Sequence, residues 1–343
     1  MPGVISRRLF PILQLTRMAL VFTAISNSLC TLLIWTAARH GKGPGVLRHI
    51  PWQWAVAIVV MSTGLYGFGM SLNDIIDRRR DQQIASHRPL PSGRIGVGTA
   101  HIICGLLIGI ALLAGAYYAR ESGRVSGQGW LSLVLIAGTA AFIIFYDLAA
   151  KYLVALGLLS LGLIRFFHAV IPAPQLPLLW HPLLLLNHVT ILSLIAYRWE
   201  EKRPPLTPIH WAAVPGGLLV IDAVLIGLVA MRRANRAPDL LHALNITPAL
   251  IAPGVAVVMF IVLAWVIKVR SASLREAGQR LMLYGLLWLI VYDFTFVAGY
   301  VGLIPALFLL LLLPLAYASV QIMRWWGGIV ALSQRPQFKR IET

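Results

Sequence analysis

The sequence predicts an all-α membrane protein, a polytopic bundle of nine or ten transmembrane helices. Of its 343 residues, 59% are hydrophobic and only 12% are charged, and a mean hydropathy of +0.79 is typical of chains surrounded by lipid. Apolar runs of about 20 residues, each able to cross roughly 30 Å of hydrocarbon, recur along the chain with no soluble domain of ordinary size between them. Residues 1–343 are therefore predicted to form one transmembrane domain with short basic tails at both ends.

The apolar runs follow one another at short intervals. The second run ends in the most polar stretch of the chain, residues 69–94. The last two runs are separated only by "GYVG", so they form either a hairpin of two spans or one span and a surface segment, and the count is ten or nine. In order, the runs are residues 15–38, 52–72, 97–118, 129–148, 152–171, 178–197, 211–231, 249–268, 280–299 and 302–322.

The distribution of Lys and Arg predicts the orientation, because basic segments near span ends are retained in the cytoplasm. With the N-terminus inside, cytoplasmic segments contain 20 of the 29 basic residues, the opposite side contains eight, and Arg165 lies within a span. We therefore expect a multi-pass protein of the cell inner membrane, with both termini and the polar end of the second run in the cytoplasm.

The net charge of +17 agrees with this topology, because basic loops attract anionic lipid headgroups. Membrane lipids are thus expected partners. No segment resembles a groove-reading motif or a basic face on a soluble module, so nucleic acid is not an expected partner.

Three of the 12 acidic residues lie together at the end of the second run. Asp74, Asp77 and Asp81 are spaced i, i+3 and i+7, so on a helix they project within about 60° of one another. Like charges on one face repel unless a cation lies among them, and carboxylate oxygens suit Mg²⁺, which completes its shell with water and substrate phosphates. The pattern indicates Mg²⁺ and a diphosphate. The alternative is a solvated helix end whose aspartates pair with neighbouring arginines.

Two neighbouring features favour the ligand site. Asn73 immediately precedes the first aspartate, and the segment "RPLPSGR", residues 88–94, follows closely. Its prolines stiffen the backbone, so Arg88 and Arg94 are candidates for gripping phosphate oxygens.

"NDIIDRRRD", residues 73–81, followed by "RPLPSGR", resembles the NDxxDxxxD signature and the downstream RPxPSG element of the UbiA family of intramembrane prenyltransferases. Further points of likeness are "TRMALVFTAISN" in the first span and "YDLAAK", residues 146–151. The resemblance implies a helical bundle around a central cavity. It also implies that two acidic motifs at the cytoplasmic mouth bind a prenyl diphosphate through Mg²⁺.

The second of these motifs departs from the family pattern. The family has DxxxD after the sixth span, whereas this chain has "YRWEEKRPPL", residues 197–206, with Glu200 and Glu201 as its only carboxylates. Adjacent residues on a helix point about 100° apart, so the pair does not reproduce the shared face of an i, i+4 pair. Either one glutamate reaches the metal alone, or the second metal site is weak or missing. The alternative is a boundary loop whose charges pair locally.

The implied chemistry is ionisation of an allylic diphosphate. Metal and arginines stabilise the leaving group, and the isoprenyl cation needs an aromatic wall and exclusion of water. By resemblance, Tyr146 and Lys151 match a tyrosine and a phosphate-contacting lysine of the family; otherwise they are an interfacial aromatic and a positive-inside anchor. Asp147 is a further ligand or the base that deprotonates an acceptor. Tyr197 and Arg198 are the remaining candidate substrate contacts at the mouth.

Ionisable residues inside spans are costly, about 2.5 to 3.5 kcal/mol at the centre of a helix. Arg165 and His168 lie i, i+3 on one face of the fifth run and are candidates for lining the cavity and contacting substrate. Asn27, Asp222 and Asp293 are expected to make interhelical hydrogen bonds instead.

The leading hypothesis is an Mg²⁺-dependent enzyme, an integral-membrane prenyltransferase that joins the prenyl group of a prenyl diphosphate to a lipophilic acceptor. An aromatic compound or quinone precursor is the acceptor that the resemblance implies, and a terpene cyclase would use the same chemistry. The alternative is a UbiA-like protein that binds or transports an isoprenoid or secondary metabolite without prenylating it. An ion-coupled transporter would need matched ionisable residues or broken helices near mid-membrane, and a CDP-alcohol phosphotransferase would need a DGxxAR run that the sequence lacks.

Overall fold

The computed structural model describes residues 4–333, and every regular element in that range is helical. Side chains are described for residues 9–325. The basic tails predicted at the two ends lie largely outside the described residues. The helices are α1 Val4–Leu15, α2 Val21–His40, α3 Trp52–Ile76, α4 Arg78–Ile84, α5 Val97–Ser126, α6 Gly129–Leu148, α7 Val154–Val170, α8 Trp180–Trp199, α9 Pro208–Arg233, α10 Leu240–Ala243, α11 Ile251–Arg270, α12 Leu274–Tyr300, α13 Leu303–Leu310 and α14 Leu312–Ser333.

The predicted fold class is confirmed. Among the described residues, nine helices are long and apolar enough to cross a membrane, and α7 is a shorter apolar helix of 17 residues, at the lower limit for a crossing. Each of the ten apolar runs therefore contains a helix. After the "GYVG" turn, the last run continues as α13 and α14, so it forms a second limb of a hairpin with α12.

The first predicted span, 15–38, is wrong at its start. The separate helix α1 ends at Leu15, and the chain turns at Arg17, whose φ of 47° lies in the left-handed region. The apolar span begins only at Met18. A non-glycine residue adopts such a conformation when its surroundings hold it there, and the Arg17 guanidinium is held by Asp74 at 3.1 Å.

Six helices surround a central cavity: α2, α3, α6, α7, α8 and α12 all contribute side chains to its wall. Helices α5, α9 and α11 lie outside this ring, and only 17% of the most apolar stretch of each is buried within the protein. Exposed apolar side chains such as Leu219 and Val258 cover α9 and α11. These surfaces suit contact with lipid, whereas the polar groups of the chain face inward.

Helices α3 and α5 pack closely because Gly64 lacks a side chain. A Cβ at this position would lie 2.6 Å from the carbonyl oxygen of Leu107 and 2.8 Å from Cβ of Ala111. Small residues at such crossings let helix backbones approach each other in a membrane.

Replacing Gly64 with Val is expected to destabilise the protein by about 1–3 kcal/mol, because the added atoms overlap the backbone of α5. Thermal unfolding in detergent, followed by the loss of monodisperse protein, measures the effect. Gly138→Val is the matched control, since Gly138 is also helical but has no atom within 4 Å of its Cβ position. Equal melting temperatures for the two variants would contradict the packing argument.

Candidate functional site

The central cavity has a volume of about 370 Å³. At its polar end, Asn73 near the end of α3 lies with Tyr146 and Asp147 near the end of α6. Below these residues, the wall is mostly apolar and includes Leu65 and Ile164. The cavity is thus an apolar chamber with a polar mouth.

The three motif aspartates lie just outside the cavity lining, where two of them share one arginine. Arg88 Nη1 lies 2.6 Å from Asp81 and 3.7 Å from Asp74. Arg17 makes a second ion pair with Asp74, at 3.1 Å. Both carboxylates are buried, with 4% of Asp74 and 3% of Asp81 exposed. Two buried negative charges would be unstable alone, and Arg17 and Arg88 compensate them.

The third motif aspartate belongs to a second cluster. Lys151 Nζ lies 2.9 Å from Asp77 and 3.4 Å from Asp147, and Asn73 Nδ2 donates to Asp147 Oδ1 at 2.8 Å. Asn73 thus links the motif on α3 to the end of α6. Asn73 therefore meets Asp147 and Lys151, although Asp147 lies 74 residues later in the chain.

Helix geometry separates the third aspartate from the other two. Helix α3 ends at Ile76 and α4 begins at Arg78, but the backbone hydrogen bonds continue from Asp77 N–H to Asn73 and from Asp81 N–H to Asp77, both at 2.9 Å. On such a helix Asp74 and Asp81 project about 20° apart and Asp77 about 60° from Asp74. Asp74 and Asp81 share Arg88, whereas Asp77 reaches Lys151.

The donor chemistry of the mouth fits Mg²⁺. Asp74, Asp77, Asp81 and Asp147 supply carboxylate oxygens, the ligands that a hard divalent cation prefers. Each carboxylate is paired with a basic side chain. Such cations can turn to phosphate oxygens when a metal neutralises the carboxylates.

The two arginines of "RPLPSGR" have different surroundings. Arg88 joins the aspartates, but Arg94 donates to Gln14 Oε1 at 2.8 Å and also to Ser92 and the backbone oxygen of His87. Arg94 therefore ties the loop to α1 and does not line the cavity. Partial burial lowers the pKa of its guanidinium from the ordinary value, because desolvation disfavours the charged form.

The glutamates of the second motif point away from the cavity. Glu200 ends α8 and lies against α12, where a Cβ on Gly278 would be 2.8 Å from its Cγ. Glu201 is exposed, with φ 52°. Lys202 lines the central cavity instead, and its Nζ lies 3.3 Å from Glu200.

An outer pocket of about 610 Å³, which Lys202 also lines, contains the other predicted residues of this loop. Tyr197, Arg198 and Glu201 line it, and the Tyr197 hydroxyl donates to the backbone oxygen of Pro204 at 2.7 Å. These side chains are therefore placed beside the central cavity, not in it.

Tyr66 and Lys202 are cavity residues that were not identified from the sequence. Tyr66 lines the cavity wall. Helical spacing could have identified it, because it begins an i, i+3, i+4, i+7 series on α3 that ends at Asn73. The others in the series, Gly69 and Met70, line the cavity as well. Lys202 had no comparable signal, since its loop has no regular periodicity.

Deeper in the bundle, the predicted residues Arg165 and His168 line the cavity. Arg165 donates to Thr23 Oγ1 at 3.0 Å and to Asn27 Oδ1 at 3.4 Å. Asn27 in turn donates to Asp293 Oδ2 at 2.8 Å.

Asp293 is the centre of a buried polar network. Its Oδ1 lies 2.6 Å from Nε2 of His181, and its backbone oxygen is 3.7 Å from Sγ of Cys30. Asn27 and Asp293 join α2 to α12, as expected for interhelical hydrogen-bonding residues. Asp222 similarly accepts from Asn187 at 3.0 Å.

The fold and the site together define an integral multi-pass membrane protein with an acidic, cation-paired mouth above an apolar chamber. The comparisons with known proteins make the class specific. The model of the UbiA prenyltransferase family matches residues 30–174, a region that contains the aspartate motif, Asp147 and Arg165 but not the glutamate loop. No curated protein matches the chain significantly.

Solved structures share the architecture. A digeranylgeranylglyceryl phosphate synthase aligns with TM-score 0.54 and 17% identity, covering 86% of this chain and 99% of its own. A UbiA homologue from Archaeoglobus fulgidus aligns with TM-score 0.50 and 14% identity, covering 84% and 99%. The same homologue bound to GPP and Mg²⁺ gives TM-score 0.46 at 13% identity, covering 82% and 99%. The resemblance to the UbiA family is confirmed, and the chain has the fold of the first two of these proteins.

Proposed function

We propose that this protein is an Mg²⁺-dependent intramembrane prenyltransferase, which transfers the prenyl group of a prenyl diphosphate to a lipophilic acceptor such as an aromatic compound or quinone precursor. One observation carries the proposal. Asp74, Asp77, Asp81 and Asp147 each pair with a basic side chain, and these pairs adjoin an apolar cavity whose polar end is lined by Arg17, Asn73 and Asp147. A polar mouth above an apolar chamber suits a substrate with a diphosphate head and a hydrocarbon body.

The basic side chains at the mouth would bind the diphosphate. Arg17, Arg88 and Lys151 each contact an aspartate, and charge-assisted hydrogen bonds to phosphate oxygens are among the stronger hydrogen bonds in proteins. When bound to the aspartates, Mg²⁺ would supply Lewis-acid stabilisation of the leaving group. Arginine and lysine then hold the diphosphate where negative charge develops.

In the transfer, the C1–O bond of the prenyl diphosphate breaks and its electron pair leaves with the diphosphate. A nucleophilic atom of the acceptor bonds to C1, and the acceptor loses a proton. Tyr146 lines the cavity beside Asp147 and would offer an aromatic face to the cationic carbon. Asp147 is the candidate base, oriented by Asn73 and Lys151.

We place the mouth and both termini in the cytoplasm of a cell bounded by an inner membrane. Nine long apolar helices and the shorter α7 together give ten crossings among the described residues, so both ends lie on one side. The excess of Lys and Arg in the segments on that side supports the assignment.

The test is diphosphate release by the purified full-length protein. With a panel of prenyl diphosphates and a lipid extract of the host, Mg²⁺ should produce diphosphate and a product heavier than its acceptor by one prenyl group. Chelation with EDTA should stop both. The enzyme proposal would be refuted if prenyl diphosphates bound but diphosphate was released with none of the substrate combinations.

A second candidate is a non-catalytic protein that binds or transports an isoprenoid or a secondary metabolite. The observation that favours it is the glutamate loop, where Glu200 packs against α12 and Glu201 faces the outer pocket. Tight Mg²⁺-dependent binding of a prenyl diphosphate, with intact ligand recovered afterwards, would support this candidate.

Lys202 is expected to act at the mouth in place of an acidic second motif. It lines the central cavity, so Lys202→Met should weaken Mg²⁺-dependent binding of inorganic pyrophosphate about tenfold, corresponding to about 1.4 kcal/mol. Isothermal titration measures the binding. Arg203→Met is the matched control, because Arg203 lines only the outer pocket. Equal losses in both variants would indicate a general effect of loop charge.

A further inference from the structure

The deep end of the cavity contains two polar side chains that the reaction at the mouth does not use. Arg165 and His168 are separated by one turn of α7 and both line the cavity. The Arg165 guanidinium lies 5.9 Å from the centroid of the Tyr66 ring. Tyr66 precedes Asp74 by eight residues on α3. Tyr66 and the neighbouring Arg165 therefore lie about 12 Å along the helix axis from the aspartates.

The charge of Arg165 has no direct counter-ion. Among the described residues no carboxylate lies within salt-bridge distance of it, and its hydrogen-bond partners, Thr23 and Asn27, are neutral. Asp293 is reached only through Asn27, and it is already paired with His181. A guanidinium has five N–H donors, so donors remain after Thr23 and Asn27 have fixed its position.

His168 is unpartnered as well. Only 5% of the residue is exposed, and in the described part of the chain neither Nδ1 nor Nε2 has a hydrogen-bond partner. A buried polar group without a partner costs about 1–3 kcal/mol. His188, another buried histidine of the bundle, instead contacts the backbone oxygen of Gly285 at 2.9 Å and the hydroxyl of Tyr292 at 3.1 Å.

We propose that Arg165 and His168 form a second anion site, which binds an acid group of the acceptor, a carboxylate or a phosphate. The proposal rests on the proposed function, in which an acceptor enters this cavity. The Arg165 fork donates to the acid oxygens, and His168 donates one further hydrogen bond. The lipophilic body of the acceptor lies against the apolar wall between this site and the mouth.

The position of the site defines what it can recognise. Thr23 and Asn27 hold the guanidinium from the side of α2, so an acid bound there is fixed at a constant distance from the mouth. An acceptor anchored in this way presents its other end towards the prenyl carbon. Arg165 and His168 thereby select acceptors by their acid group and by the length of the body that follows it.

The experiment compares ligands that differ only in the acid group, with the full-length protein in lipid nanodiscs. One pair is a hydroxyaromatic carboxylate and its carboxamide, and the other is a prenylated glycerol phosphate and the corresponding prenylated glycerol. We expect the acid member of one pair to bind at least tenfold more tightly, and Arg165→Gln to remove that preference. The pair that shows the preference identifies carboxylate or phosphate as the recognised group.

Controls separate this site from the mouth. Arg48→Gln alters an exposed arginine remote from the cavity lining and should keep the preference. Mg²⁺-dependent pyrophosphate binding should survive Arg165→Gln, which establishes that the variant is folded. Where that variant does not assemble, His168→Leu provides the test, with a several-fold smaller preference expected.

Two results would overturn the proposal: equal affinity for acid and neutral members of both pairs, or an undiminished preference in Arg165→Gln or His168→Leu. Failure of the proposed function gives a different pattern. In that case the wild-type protein binds the acid ligand selectively but releases no diphosphate, whether or not it binds pyrophosphate with Mg²⁺.

Discussion

Asp77→Asn is expected to lower Mg²⁺-dependent diphosphate release by at least about 100-fold, the loss expected when a group that stabilises developing charge is removed. The substitution keeps the size of the side chain but removes its negative charge. It takes away one metal ligand of the proposed site and leaves Lys151 paired with Asp147 alone, at 3.4 Å. Both the metal and the diphosphate would then be held less firmly.

The rate is measured by phosphate detection after pyrophosphatase treatment, at saturating Mg²⁺. Asp239→Asn is the control, because Asp239 is an exposed carboxylate that caps the short helix α10 through the backbone N–H of His242. The hydrogen bond from His242 lowers the pKa of Asp239, so its carboxylate is ionised at neutral pH. Asp239→Asn therefore removes one negative charge, as Asp77→Asn does. Undiminished release by Asp77→Asn would remove Asp77 from the proposed metal site.

Asp293→Leu is expected to destabilise the bundle by about 2–5 kcal/mol. Asp293 has 0% exposure and accepts from Asn27 at 2.8 Å, and its other oxygen lies 2.6 Å from His181 Nε2. The leucine leaves two buried polar partners unsatisfied, each at a cost of about 1–3 kcal/mol. The network also positions Arg165 through Asn27, so preference for acid ligands should fall as well.

Unfolding of the variant in mixed micelles measures the change in free energy. Asp222→Leu is the matched control, because Asp222 is only partly buried and has Asn187 as its partner. We expect that control to lose less than about 1 kcal/mol, near the mean for interhelical hydrogen bonds in membranes. A loss for Asp293→Leu no larger than the control would show that the network contributes little to stability.

Much of the fold could be predicted because hydrocarbon imposes a simple requirement. A chain in lipid must satisfy its backbone hydrogen bonds within each span, so ten apolar runs predicted ten helices. The boundaries failed where tertiary contacts decide them. Arg17 interrupts the first run because Asp74 holds its side chain, and α5 continues to Ser126 beyond its apolar run.

The candidate site could be predicted in part, since helical spacing groups residues that are near in sequence. The i, i+3, i+7 spacing predicted that Asp74, Asp77 and Asp81 share one face of a helix. It did not reveal that they divide between Arg88 and Lys151, because that depends on residues elsewhere in the chain. Their roles as metal ligands stay predictions.

The sequence by itself determined that this chain is a polytopic helical membrane protein and that its first acidic motif resembles that of the UbiA family. Composition and local spacing carry that information, because they follow from the solvent and from helix geometry. Only the tertiary structure decided which charges meet. It places Lys202 at the cavity with the glutamates outside it, and it leaves Arg165 without a direct counter-ion among the described residues. Such pairings depend on distances between elements far apart in the chain, which no local pattern specifies.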